Sequence, residues 1–478
     1  MPLPTTMRSM ALFWLVPGLA TLSACSTDST DDAQKADSTD ETGETDETDT
    51  APTWHGDIRP ILHQRCGSCH VEGNIAPFVL DDYDTASSLA DAIVASVDAG
   101  TMPPWFAVET DECEPRLPWK GDMRVSDEEK ALLREWASTG TKLGDPDNPA
   151  PLTEPPPLEL QDPKAEMEFA EPYAVQGESD DFQCFVLDPG HTEDVWLTGV
   201  QVLPGNTKVD HHALVYLDVY NESADLALGD QFPCFNAPDV SGFLVATWTP
   251  GAAPMYTPDG AGMPMPEGAR IIVQMHYHPD PEAVELDQTV VQLEWTTEEP
   301  EWEAAQALVG NNSRQSSDGT GLQPGENDPT DEAEFIIPAG VSEHVETILY
   351  TQEVPIEFPL FSVGTHMHYL GTDMKIDLIQ ADGDEECLIQ TPNWDFNWQR
   401  VYDYDAPVDQ LPTIAAGDSL LMRCTYNNSL DNPFVVDALD EQGLDEPQDV
   451  HLGDETLDEM CLGLFGILVP PGLIQELY

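Results

Sequence analysis

The chain has 478 residues with 17 basic and 90 acidic side chains, a formal net charge of −73. A polyanionic phosphate backbone needs a basic face, so nucleic-acid binding is excluded as the function. The length allows two or three ordinary domains, each able to bury a core of its own.

At the N-terminus, Arg8 is the lone charge before an apolar run from Met10 to Ala20. That run is too short to span a bilayer, so residues 1–24 read as a signal peptide. It ends in Leu22-Ser23-Ala24-Cys25, which resembles a bacterial lipobox: small residues for the peptidase and a thiol to carry lipid. Cys25 is therefore the expected lipid anchor, and several acyl chains on it would hold the protein to a membrane. Ser26 at the next position points to the outer membrane, giving a cell-envelope lipoprotein facing the periplasm or the exterior. Residues 25–52 hold ten acidic side chains among Ser and Thr and read as a disordered tether.

Residues 53–143 change character. A short helix opens at Asp57-Ile58-Arg59-Pro60 and runs into Cys66-Gly67-Ser68-Cys69-His70. A second helix is expected near Ser87–Val97. A third starts at Ser126, which has capping-box spacing to Glu129, buries Leu132, Leu133 and Trp136, and ends at Gly140. The block is small and all-α. Residues 144–164 are rich in Pro and Asp and read as a stiff linker.

Beyond the linker the pattern switches to short apolar runs parted by Gly, Pro, Asn and Asp. Strands are expected at Val195–Val202, Ala213–Val219, Arg270–His276, Val290–Trp295, Met374–Ile379, Leu420–Tyr426 and Leu462–Val469. This is too much chain for one antiparallel sandwich and comfortable for two, at 165–299 and 300–478.

Cys66-x-x-Cys69-His70 sets two thiols one helical turn apart, with an imidazole adjoining, the spacing that attaches a c-type haem covalently. A thiol redox pair would not need the histidine, and a zinc site would want a second pair. His70 is the expected axial ligand. For the other face Met102, in Gly100-Thr101-Met102-Pro103-Pro104, is preferred over Met123, His55 and His63, because a proline turn can present a thioether rigidly. The block resembles small class I cytochromes c, which implies electron transfer rather than oxygen binding.

Six histidines past the linker fall in three close groups: His211-His212, His276-Tyr277-His278 and His366-Met367-His368. Alternate residues of a strand share a face, so His366 and His368 can grip one ion. Adjacent His211 and His212 normally diverge, so sharing an ion requires irregular backbone or the nearer ring nitrogen. Imidazoles suit copper, iron or zinc, and the thioether of Met460 favours copper that cycles through Cu(I).

Four ordered motifs, Asp210-His211-His212, Gln274-Met275-His276-Tyr277, Thr365-His366-Met367-His368 and Glu459-Met460-Cys461, resemble the type II copper ascorbate-dependent monooxygenases. The resemblance covers roughly residues 165–478. It implies two jelly-roll-like β-sandwiches facing a cleft and two copper ions. His211, His212 and His276 would hold an electron-transfer copper, and His366, His368 and Met460 the copper where O2 reacts. His278 has no counterpart there and is a spare candidate. The implied chemistry inserts one oxygen atom into a C–H bond of a small substrate. Electrons would come from a donor protein or small reductant, with the haem as relay. The resemblance also implies a Cys424–Cys461 disulfide. Six cysteines are left for disulfides and permit 15 pairings; Cys184 with Cys234 is the second pair expected.

Members that act on peptidylglycine carry Arg, Asn and Tyr where this chain has Gly364, Leu462 and Leu464. A carboxylate finds no partner at those positions, so a neutral or apolar substrate is expected. Two other readings compete: a copper and haem electron-transfer or copper-handling lipoprotein, and a surface module merely stabilised by metal.

Overall fold

The computed structural model describes residues 51–474 apart from 73, 154–156, 178, 227–230, 235–237, 239, 241, 326–327, 329–332 and 454–457. The signal peptide, Cys25 and most of the acidic tether lie outside the described residues. Among the described residues no helix is long and apolar enough to cross a membrane.

The first elements are helical. A π-helical turn at Trp54–Ile58 leads into Arg59–Cys66, followed by Tyr83–Ser88, Ala90–Asp98 and Asp127–Ser138. Trp54, Ile58, Leu62, Leu80, Val97, Leu133 and Trp136 bury one another in a small core of their own. The single helix expected near Ser87–Val97 is instead two, broken at Leu89 (φ −103°, ψ 6°). Ser87 and Ser88 hydroxyls bond back to the carbonyls of Asp84 and Thr85, competing with the helical ladder there. The last helix starts on a complete capping box, in which the Ser126 hydroxyl accepts from Glu129 N and the Glu129 carboxylate accepts from Ser126 N.

Two sandwiches follow. In the first, a sheet ordered Gln231–Pro233, Asp181–Leu187, Arg270–Tyr277, Asp210–Asp218, Phe243–Trp248 packs on one built from Ala165–Glu168, Val290–Thr296, Val195–Leu203 and Ala261–Met265. Arg270–Tyr277 is central and buried along both faces, which explains its unbroken apolar run. In the second, Ser419–Tyr426 alternates half-buried and buried residues, as a strand with one covered face must. It lies in a sheet with Gly321–Leu322, His344–Thr351, Gly371–Ile379 and Glu385–Thr391. The facing sheet, Trp302–Gly310, Leu462–Val469, Phe358–His366 and Val401–Asp403, is not separate from the first sandwich. Trp302 and Glu303 pair in parallel with Ala261 and Gly262, making one sheet through both halves.

Residues between the third and fourth α-helices are built into this β core rather than the helical one. Trp105, Ala107 and Trp119 bury there, Trp119 stacks on Tyr404 with ring centres 5.0 Å apart, and Cys113 is disulfide-bonded to Cys387. The helical block is thus strapped covalently to the second sandwich. The other disulfides are Cys184–Cys234 and Cys424–Cys461.

Candidate metal centres

His211, His212 and His276 converge. Their Nδ1 atoms lie 3.1, 3.2 and 3.1 Å from one another. Two features allow neighbouring histidines to share this point. The ladder between the Asp210–Asp218 and Arg270–Tyr277 strands slips at His276/Tyr277, and all three rings turn in the nitrogen nearer the backbone. Nitrogens so spaced can each reach a single ion at ~2.0 Å, with a position left open. Burial, then the neighbouring imidazoles, pushes His211 down to about 4 and His212 well below its ordinary range. Neutral imidazole is the ligand form, so the cluster suits a cation. The far nitrogen of His276 meets Asp180 Oδ2 at 2.8 Å, a carboxylate that fixes the ring. His278 lies beside the cluster, its Nδ1 2.5 Å from Asp180 Oδ1 and its ring stacked on His211. Burial raises the Asp180 pKa, but its bonds to His276 and His278 outweigh that and hold it below the carboxylate range.

The second cluster is assembled differently from the strand argument. The Phe358–His366 strand ends at His366, so His368 is not its alternate residue on a strand. Instead Glu459, wholly buried, accepts from the backbone N of His368 (2.8 Å), Leu370 (2.7 Å) and Met460 (3.1 Å). One carboxylate thereby fixes the turn carrying His368 and the segment carrying Met460, and burial pushes it up to about 8 against those three donors. The His366 and His368 rings stand 5.4 Å apart at 87°. His366 Nδ1 bonds Gln399 Oε1 at 2.7 Å and His368 Nδ1 bonds Asp458 O at 3.0 Å. In both rings the nitrogen nearer the backbone is engaged by these bonds, the opposite arrangement from the first cluster. Two imidazoles and a thioether fit copper.

Both clusters line one cleft of about 620 Å³. Leu214, Leu244, Leu308, Leu462 and Leu464 make much of its wall. Gly364 is in register with Leu464 on one side and Val401 on the other. A cation does stand nearby, which sequence reasoning missed: Arg400, one residue before the Val401–Asp403 strand, also lines the cleft. Its Nε and Nη2 are shut off from solvent and, among the described residues, donate to no acceptor.

Cys66 and Cys69 are unbonded thiols at the end of the Arg59–Cys66 helix, and His70 N donates to Cys66 O at 2.9 Å. Burial pushes the Cys66 thiol up to about 12. His70 Nδ1 bonds Phe78 O at 3.1 Å, so Nε2 is the ring nitrogen that could serve a metal. Cys69 presses against Gly251 of the first sandwich and feels the Arg400 charge of the second. Met102 is 37% exposed and precedes a cis bond to Pro103. Met123 packs against the β core, while His55 lies in the Trp54–Ile58 turn and His63 in the Arg59–Cys66 helix.

Residues 329–465 match the family model for the C-terminal domain of the copper type II ascorbate-dependent monooxygenases. The match supports that family. The matched stretch contains His366, His368 and Met460, whereas His211, His212 and His276 precede it. No curated protein matches the chain. Among solved structures, a xanthan lyase from Paenibacillus is 10% identical over 70% of the chain, with a TM-score of 0.17, and the chain covers 29% of the lyase. The VP2 subviral particle of infectious bursal disease virus is 9% identical over 64% of this chain and 71% of its own, also at 0.17. Scores this low carry no likeness of fold or function.

Proposed function

We propose that the protein is a copper monooxygenase that inserts one atom of O2 into a C–H bond of a small, neutral substrate, using two copper ions and a haem held by Cys66, Cys69 and His70. The observation that carries this reading is the pairing of unlike clusters on one cleft. One offers three imidazoles; the other offers two imidazoles and the Met460 thioether. Copper bound at the second cluster would supply O2 activation, and copper at the first an electron.

The chain's own residues divide the remaining work. Asp180, Gln399 and the carbonyl of Asp458 accept from the outward nitrogens of His276, His366 and His368, so each ring keeps one tautomer and one orientation. Glu459 keeps His368 and Met460 in register. The leucine wall receives an apolar substrate and limits water around the reacting group. The free thiols Cys66 and Cys69, with His70 fixed by Phe78 O, would hold the haem. Cys69 packs on Gly251 of the first sandwich and lies near Arg400 of the second, so a haem held there would be tethered beside both, and tethering would take the place of diffusion in electron delivery. The bare donors of Arg400 suit the carboxylate edge of such a cofactor.

Met460→Ala tests the reading. Oxygen uptake coupled to a hydroxylated product should fall at least ~100-fold, as expected when a group acting on the reacting centre is lost, while the His211 cluster keeps its copper. Two bound coppers with no oxygen uptake on any extracellular small molecule would reassign the protein to electron transfer or copper handling. Turnover of a glycine-extended peptide would overturn the neutral-substrate part alone.

A further inference from the structure

The two clusters belong to different sandwiches, yet one short segment touches both. The 3-10 turn Phe396–Trp398 of the second sandwich is capped by Asp395, whose Oδ1 accepts from Asn397 N at 2.9 Å. Asn397 Oδ1 reaches across the cleft to His211 Nε2 at 3.2 Å. Two residues later Gln399 Oε1 takes the Nδ1 of His366 at 2.7 Å. The Gln399 amide cannot flip freely, because its Nε2 donates to Phe396 O at 3.1 Å. Phe396 also stands edge-on to His368, ring centres 6.1 Å apart.

These contacts have a chemical consequence. An amide oxygen only accepts, so His211 must donate from Nε2 and His366 from Nδ1. His211 then has a bare Nδ1, the atom that meets the other two histidines of its cluster, and His366 has a bare Nε2. One turn thus sets the ligating nitrogen of one residue in each cluster, in opposite senses.

We propose that the Asp395–Gln399 turn is a coupling element that ties the two metal sites into one unit, with Asn397 and Gln399 as its positioning residues. The inference rests on the copper reading. Filling either site orders the turn, and the ordered turn presents its other acceptor in place, so each site binds copper more tightly when its neighbour is filled. Such coupling is reciprocal, and about 5-fold or more in affinity is its usual size.

The test uses the full-length, haem-loaded protein and copper alone as the probe. Copper affinity at the His211 cluster is measured by competition with a chelator, in the wild type and in Met460→Ala, and its electron paramagnetic resonance spectrum is recorded in each. Wild-type protein should bind that copper at least ~5-fold more tightly than Met460→Ala does. In an Asn397→Leu background the difference should vanish and the spectrum of the His211 copper should shift. Asn397→Asp, which keeps an acceptor oxygen, should restore both. Gln399→Leu provides a second route and should also abolish the difference, with the spectral change at the other copper. A difference that persists in Asn397→Leu, or an unaltered His211 spectrum, overturns the coupling. Two coppers bound without any wild-type difference overturns it too, while leaving the copper reading intact. Failure of wild-type protein to bind two coppers removes the copper reading itself.

Discussion

Replacing Gly251 by alanine should loosen the contact between the Cys66–His70 motif and the first sandwich, and a second glycine supplies the control. Gly251 has φ +75°, a region costing an L-residue roughly 1–2 kcal/mol. A Cβ there would lie 2.3 Å from Cys69 Sγ, far inside contact distance. Crowding of that kind costs about 1–3 kcal/mol more. Gly340 has almost the same angle, φ +76°, with nothing within 4 Å of its Cβ position, so Gly340→Ala suffers the backbone strain alone. The difference between the two variants isolates the Cys69 contact at about 1–3 kcal/mol. The assay is alkylation of Cys69 in chain expressed without haem attachment. Opening of that size should speed labelling in Gly251→Ala by roughly 5- to 150-fold over Gly340→Ala, since 1.4 kcal/mol is tenfold. Equal rates in the two variants would refute the packing of the motif on this loop.

Other perturbations have equally definite outcomes. Glu459→Gln turns an amide NH2 toward backbone donors at His368, Leu370 and Met460. It should cost about 1–3 kcal/mol locally and weaken Cu(I) binding at the Met460 site by roughly 10- to 100-fold; an unchanged chelator competition curve contradicts this. Asp403 is pushed by burial up to about 6, with Lys120 pulling the other way. A carboxyl whose folded pKa is raised holds its proton better folded than unfolded. Its contribution is therefore full below about 4 and is lost as pH rises through about 6. Asp403→Asn should flatten the decline in unfolding midpoint between pH 4 and pH 7, and a parallel decline in both proteins would rule that out. Cys113→Ser with Cys387→Ser opens a loop spanning 274 residues. It should lower stability by about 2–5 kcal/mol, and hydrogen exchange should show the loss concentrated in residues 105–124 rather than across the first sandwich.

The candidate clusters were legible because imidazoles in adjacent or alternate positions are hard to explain by packing, and the fold does bring His211, His212 and His276 together. What supports the clusters was not legible. Asp180, Asn397 and Gln399 are ordinary polar residues in turns, and only the folded chain brings Asn397 to His211, 186 positions away. Strands with clear alternation were visible, as in Ser419–Tyr426. Trp302–Gly310, which joins the halves, was not, since its run of alanines has no period to read. The strand argument paired His366 with His368, but His368 lies past the strand's end, where the buried Glu459 carboxylate rather than a pleat holds its backbone. Likewise the second helix was broken by serine hydroxyls, whose local bonding a periodicity of apolar residues does not register.

The shared sheet bears on how the molecule can breathe. With Ala261–Gly262 laddered to Trp302–Glu303, the two halves are leaves of one book bound along a spine. Prising them apart at that edge means rupturing main-chain bonds. Elsewhere the halves meet through lighter contacts, such as the single side-chain hydrogen bond between Asn397 and His211, so the laddered edge is the stiffer part of the join.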